Sequence, residues 1–192
     1  MTCTGDPKKG KATDYVARQY LGRLGKIDNG IVAVVSYGLV DGLTFPLTFE
    51  IYKPKERLKL KDIYLSKPQI ASQMIREIKA MGFEIDCVLA DSLYGESTST
   101  FIRGLQGLNL QFAVAIRSNH SVRLPPEQRV RANKWRKFER IFSDESRKVR
   151  YIREIIYGKK RALRYWEITT DIETIPENLT WYVMTLASGS LS

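Results

Sequence analysis

The chain has 192 residues, 43% of them hydrophobic, and 31 lysines and arginines against 21 acids for a net charge of +10. That length suits one sizeable core, and no apolar run approaches the roughly 20 residues of a membrane span. Its two cysteines, Cys3 and Cys87, make neither a C-x-x-C metal pair nor a disulfide framework, which excludes a small secreted scaffold and points to the reducing cytoplasm.

The excess charge is concentrated. Residues 111–170 hold 16 basic and 6 acidic side chains, and the remainder holds 15 of each. A local excess of this kind is the electrostatic footprint expected for a polyanion such as nucleic acid.

Residues 1–29 are rich in Gly, Lys and polar side chains and predict no helix; "MTCTGDPKKGK" lacks the apolar middle of a signal peptide. "GIVAVVSYGLVDG" is Val/Ile-rich and ends on Asp41-Gly42, and "LTFPLTFEIYK" follows at once, which predicts an antiparallel hairpin. Pro46 confines its strand to an edge or an interrupted ladder. After a charged loop from Lys53 to Lys67, apolar residues at Ile70, Met74, Ile78 and Met81 predict one helical face, with Pro68 near its start and Gly82 past its end.

"IDCVLAD" is an almost continuous apolar run, which predicts a strand covered on both faces with Cys87 as a small core residue. "STSTFIRGLQGLNL" predicts a weaker helix and "QFAVAIR" a second buried strand. The segment from Ser118 is basic, broken by Pro125-Pro126 and interleaved with Trp135, Phe138 and Phe142. Two strands around Gly158 and a last strand at "TWYVMT" follow, and "LASGSLS" adds no element. Together these make a mixed α/β layer whose central strand ends on Asp91. Ligands gather outside the carboxyl ends of such strands, although an Asp there is also a common helix cap.

The stretches "TGDPKKGKATDYVARQYLGRLGKIDNGIVAV", "VLADSLYGES", "FAVAIRSN" and "WYVMT" resemble the DDE transposases of bacterial insertion sequences over nearly the whole chain. The resemblance implies a ribonuclease H-like mixed sheet flanked by helices, partial over residues 1–117. A basic, β-rich insertion after the fifth core strand would occupy residues 118–192. It also implies a Mg²⁺ (or Mn²⁺) dependent nuclease and strand transferase in which Asp, Asp and Glu hold two cations. Such a pair can clamp both the attacking and leaving oxygens of a phosphodiester displacement.

The family's middle Asp maps onto Asp91, the expected catalytic and metal-holding residue. Its first Asp falls on Thr2, which supplies no carboxylate. Asp6 lies four residues further, ~13 Å along an extended strand. The final Glu belongs to a helix beyond the last strand, and none of these residues corresponds to it. The chain is therefore expected to be a transposase fragment shortened at both ends, to hold the metals poorly and to leave DNA uncut.

The resemblance further implies transposon-end DNA as partner, with a homodimer or pairing with intact transposase on that DNA. Lys8, Lys9, Lys11 and Arg18 near the presumed site, and Arg117, Arg123, Arg131, Lys134, Arg136 and Lys137 around Trp135, are the candidate DNA contacts. Each has a plainer reading as solvated surface, and Trp135 as a core anchor; Arg18 and Gln19 would equally brace a loop. His120, the lone histidine, either meets phosphate or is incidental. A non-catalytic DNA-binding regulator and a basic RNA-associated protein are the other readings.

Overall fold

The computed structural model describes residues 1–10, 12–121, 124, 126–142, 144–158, 163–173 and 179–186, with the backbone alone for 179–181. In chain order the strands and helices are β1 (Thr2–Pro7), β2 (Ala17–Leu21), β3 (Lys26–Val40), β4 (Leu43–Ile51), α1 (Lys67–Ala80), β5 (Cys87–Ala90), α2 (Ser92–Gly95) and α3 (Arg103–Gly107). Six strands complete the series: β6 (Gln111–Ile116), β7 (Val130–Ala132), β8 (Arg136–Ile141), β9 (Arg147–Tyr157), β10 (Leu163–Thr169) and β11 (Leu179–Leu186). They form two compact units, Met1–Asp86 with Ser97–Asn109, and Cys87–Glu96 with Leu110–Ser192.

The first unit is an antiparallel sheet built on β3. Residues 33–35 of β3 pair with both β1 and β4, so those strands take opposite edges, and β2 pairs with residues 26–30. The hairpin forms where Asp41-Gly42 predicts it, with φ of 50° and 80° at the two turn residues, the double positive φ that matches strand twist. Register shifts between Ser36 and Tyr37, where Pro46 interrupts the ladder. Leu21 is fully buried and sits on two glycines. A Cβ on Gly5 would lie 2.8 Å from Leu21 Cδ2, and one on Gly30 would lie 2.9 Å from Leu21 Cδ1 and 2.6 Å from the Asp6 carbonyl oxygen. Close packing between strands thus requires glycine at both places.

Helix α1 begins with the Ser66 N–H donating to Gln69 Oε1 at 2.8 Å and stops at Gly82, whose φ is 91°. Ile70, Met74 and Ile78 form its buried face, whereas Met81 is 70% exposed just past the end. The helix packs on β3, β4 and the π-helical turn Thr98–Ile102, which leads into α3. Phe101, Ile102 and Leu105 are buried there. The strands β1 and β2, which the polar N-terminal sequence does not announce, exist through their pairing with β3.

The second unit is a mixed sheet in the order β5-β6-β11-β10-β9-β7, with β8 also on β9. Only β5 and β6 are parallel; every other described pair is antiparallel. Phe112, Val114, Trp166, Ile155 and Met184 are buried along its core strands. Strand β5 corrects one expectation. Val88 is buried but Leu89 is 59% exposed, and Cys87 is exposed rather than part of the core. Among the described strands it lies at one edge of its sheet, and a run of apolar residues does not reveal which faces are covered.

Candidate carboxylate site and nucleic-acid interface

Strand β5 ends at Ala90, and Asp91 turns the chain into α2. One carboxylate oxygen of Asp91 accepts the Leu93 N–H at 2.9 Å, so it caps the short helix while remaining exposed. Tyr94 is fully buried. A Cβ on Gly95 would come within 2.0 Å of the Ala115 carbonyl oxygen, so α2 lies against β6 at a distance that only glycine permits. Tyr94 and Gly95 thus set the geometry of the turn after Asp91.

Because β5 and β6 run parallel as neighbours, the residues that follow them meet. Glu96, after α2, accepts the Arg117 N–H at 2.7 Å through Oε1. Its Oε2 lies 2.9 Å from His120 Nδ1. Burial alone would raise this carboxyl, but the Arg117 N–H and the His120 ring outweigh it and hold Glu96 below the usual range. His120 lines a cavity of about 30 Å³ with Tyr157, Tyr165, Glu167 and Tyr182. The lone histidine is therefore a positioned partner of Glu96, a pairing that sequence reasoning missed. The usable signal was topological: a carboxylate and an imidazole, each beyond the carboxyl end of one of two apolar runs.

In the first unit, Thr2, Thr4 and Asp6 all lie exposed along β1. Asp6 is engaged by Lys8 at 2.6 Å, and that hydrogen bond and charge lower its pKa. Lys9 and Arg18 are exposed. Gln19 Nε2 donates to the Gly30 carbonyl at 3.0 Å, bracing β2 against β3. Lys11 and Arg123 lie outside the described residues.

Among the described residues no group of three or more His, Cys, Asp or Glu side chains is placed to hold a metal. Thr2 offers no carboxylate, Asp6 is matched by Lys8, and Asp91 has one oxygen committed to its helix. Thr2, Asp6 and Asp91 do not by themselves supply the three carboxylates of a two-metal centre.

The basic residues separate by partner. On β9 and β10, Arg153 Nε lies 2.6 Å from Glu167 and Arg164 reaches both oxygens of Glu154 at 2.8 and 2.9 Å, whereas Arg150 donates to the Val149 carbonyl and Lys148 lies over the Phe142 ring. Lys134, Arg136 and Lys137, on or just before β8 at the sheet edge, are exposed without an ion pair among the described residues. Arg131 Nη2 donates to the Gly158 carbonyl at 3.4 Å. Trp135 is half-buried, with the Arg153 guanidinium 4.4 Å from its ring centre. Arg117 stands apart from this group, at the end of β6 beside Glu96.

Residues 3–149 match the family model described as DDE superfamily endonuclease, a span that runs from β1 through Asp91 to the strands around β8. The chain belongs to the DDE superfamily endonucleases. It is also 60% identical over 181 residues to the "Probable transposase for insertion sequence element IS701" of Microchaete diplosiphon, covering 94% of this chain and 48% of that protein. The DDE chain thus spans about half the length of that relative. No solved structure matches it. Among its described residues no helix is long and apolar enough to cross a membrane.

Proposed function

We propose that this chain is part of an insertion-sequence transposase, and that residues 1–192 alone bind duplex DNA without cutting it. The 60% identity over 94% of the chain to a probable transposase carries the reading. Asp91 would be the middle carboxylate of the DDE set, placed at the carboxyl end of a strand in a parallel pair. The intact enzyme would use Mg²⁺ or Mn²⁺. No cleavage step is assigned to these residues.

Residues 118–192 would be the β-rich insertion and would carry the DNA contact. Arg131, Lys134, Arg136 and Lys137 present uncompensated or weakly bonded cations along β7 and β8, an edge suited to phosphates. Trp135 holds Arg153 beside them. Lys8, Lys9, Arg18 and Arg117 are subsidiary phosphate contacts, with Lys11 and Arg123 completing the proposed set. Thr2, which stands where a catalytic carboxylate is expected, favours a second role: a non-catalytic fragment that occupies transposon ends or pairs with intact transposase.

Fluorescence anisotropy with labelled duplexes, one from the element's ends and one unrelated, tests the proposal. Affinity should fall steeply with salt, and Arg136→Gln with Lys137→Gln should weaken it. Absence of salt-dependent binding contradicts the DNA reading.

A further inference from the structure

The balance of charge outside residues 111–170 hides a second basic concentration. Between Lys53 and Lys67 there are six cations and two acids. Two of the cations are used internally. Lys53 Nζ lies 2.8 Å from Asp62, Lys59 pairs with Asp14, and both ammonium groups approach the Tyr15 ring, at 5.4 and 5.7 Å from its centre. Asp62 also accepts the Tyr15 hydroxyl at 3.0 Å and the Lys59 N–H at 2.9 Å. These donors, the Lys53 ammonium foremost, bring its pKa down to about 2. This cluster pins the loop and leaves no net charge.

The next pair is different. Lys55 Nζ lies 4.7 Å from the centre of the Tyr64 ring, and Lys67 Nζ lies 4.8 Å from that of Tyr52. The two rings are in edge contact, 6.4 Å apart at 70°. Neither lysine has an ion-pair partner among the described residues, and Glu56 between them in sequence forms none. An ammonium over a ring keeps its charge and its outward N–H donors. The rings therefore hold lysines in place, and the faces so covered are closed to stacking bases.

Helix stability does not explain this arrangement. Lys67 is the first residue of α1, and no acid occupies the first turn. A cation there opposes the positive end of the helix macrodipole. Around that turn the Ser66 N–H goes to Gln69 and the Ile70 N–H to the Ser66 carbonyl, while Pro68 has none. An anion arriving here would relieve the repulsion and would be met by the two ammonium groups.

We propose that Lys55 and Lys67, held up by Tyr64 and Tyr52, form a second phosphate-binding surface for duplex DNA, in the unit that does not contain β7 and β8. It rests on the proposed DNA reading and adds a sequence-independent contact to it. Covered aromatic faces and point-charge donors read phosphate rather than base edges.

The test is duplex binding by anisotropy as a function of salt, for the protein and for Lys55→Gln/Lys67→Gln. The double variant should lose about tenfold in affinity near physiological salt. Its slope of log affinity against log salt should flatten by about 2, two phosphate contacts at about 0.9 each, equally on element-end and unrelated DNA. Lys55→Arg/Lys67→Arg, which keeps both charges, should retain the slope, separating charge loss from misfolding. Binding by the Gln variant with unchanged affinity and slope overturns this proposal, while weakening by Arg136→Gln/Lys137→Gln in the same series leaves the DNA reading standing. A protein that binds no duplex at all overturns both.

Discussion

Glu96 Oε2 lies 2.9 Å from His120 Nδ1, across 24 residues of sequence. The same carboxylate takes the Arg117 N–H, so one side chain ties the end of α2 to the loop after β6. Removing it in Glu96→Ala leaves the exposed Arg117 N–H and the part-buried imidazole without their acceptor and should cost about 1 kcal/mol, read by chemical unfolding. An unchanged midpoint would show that the pair is incidental.

The same contact gives a pH dependence. The folded carboxyl of Glu96 titrates below its ordinary range, so the folded state favours the ionised form. That stability is fully present above the unfolded value, about pH 4, and is lost as pH falls through the lower folded value. Glu96→Gln should therefore unfold with a weaker acid dependence than the parent protein as pH falls below the unfolded value. Parallel acid titrations would remove this group from the linkage.

Gly95 supplies a steric prediction. A Cβ there would lie 2.0 Å from a backbone oxygen of β6, an atom that cannot move without disturbing the ladder. Gly95→Ala should cost about 3 kcal/mol or prevent stable folding. Gly107→Ala, where a Cβ meets nothing within 4 Å, is the control and should be at least as stable as the parent. Equal stability of the two variants would contradict the described packing of α2 on β6.

The capping role of Asp91 can be separated from metal binding by thermal unfolding. Asp91→Ala loses the bond to the Leu93 N–H and should melt about 3 °C lower, whereas Asp91→Asn keeps an acceptor and should stay close to the parent. Mg²⁺ should not raise the melting temperature beyond a matched ionic strength of NaCl, because the described carboxylates do not converge. A specific Mg²⁺ stabilisation abolished in Asp91→Asn would show that residues 1–192 do assemble a metal site.

Much of the fold is legible from local signals. Asp41-Gly42 supplies two residues at positive φ between β-branched runs, and α1 is bounded by Pro68 and Gly82 as its periodicity predicts. What is not legible depends on distant partners. The residues of β1 and β2 are mostly polar, and they become strands only against β3. Leu89 looks like a core residue in "CVLA" yet is exposed, because alternation within four apolar residues cannot be read. At the site, Asp91 is visible both as a strand-end carboxylate and as a cap. The Glu96 and His120 pair required knowing that β5 and β6 are parallel neighbours. The lysine and tyrosine pairs of residues 52–67 were hidden by a charge balance that sums to zero over a longer stretch.

The most direct test is incubation of residues 1–192 with supercoiled plasmid and Mg²⁺ or Mn²⁺, monitored for nicking and for retardation together. The account predicts plasmid that is bound at low salt, released as salt rises, and supercoiled throughout. Nicking that vanishes in Asp91→Ala would contradict it, since Asp91 would then be acting in a complete catalytic set.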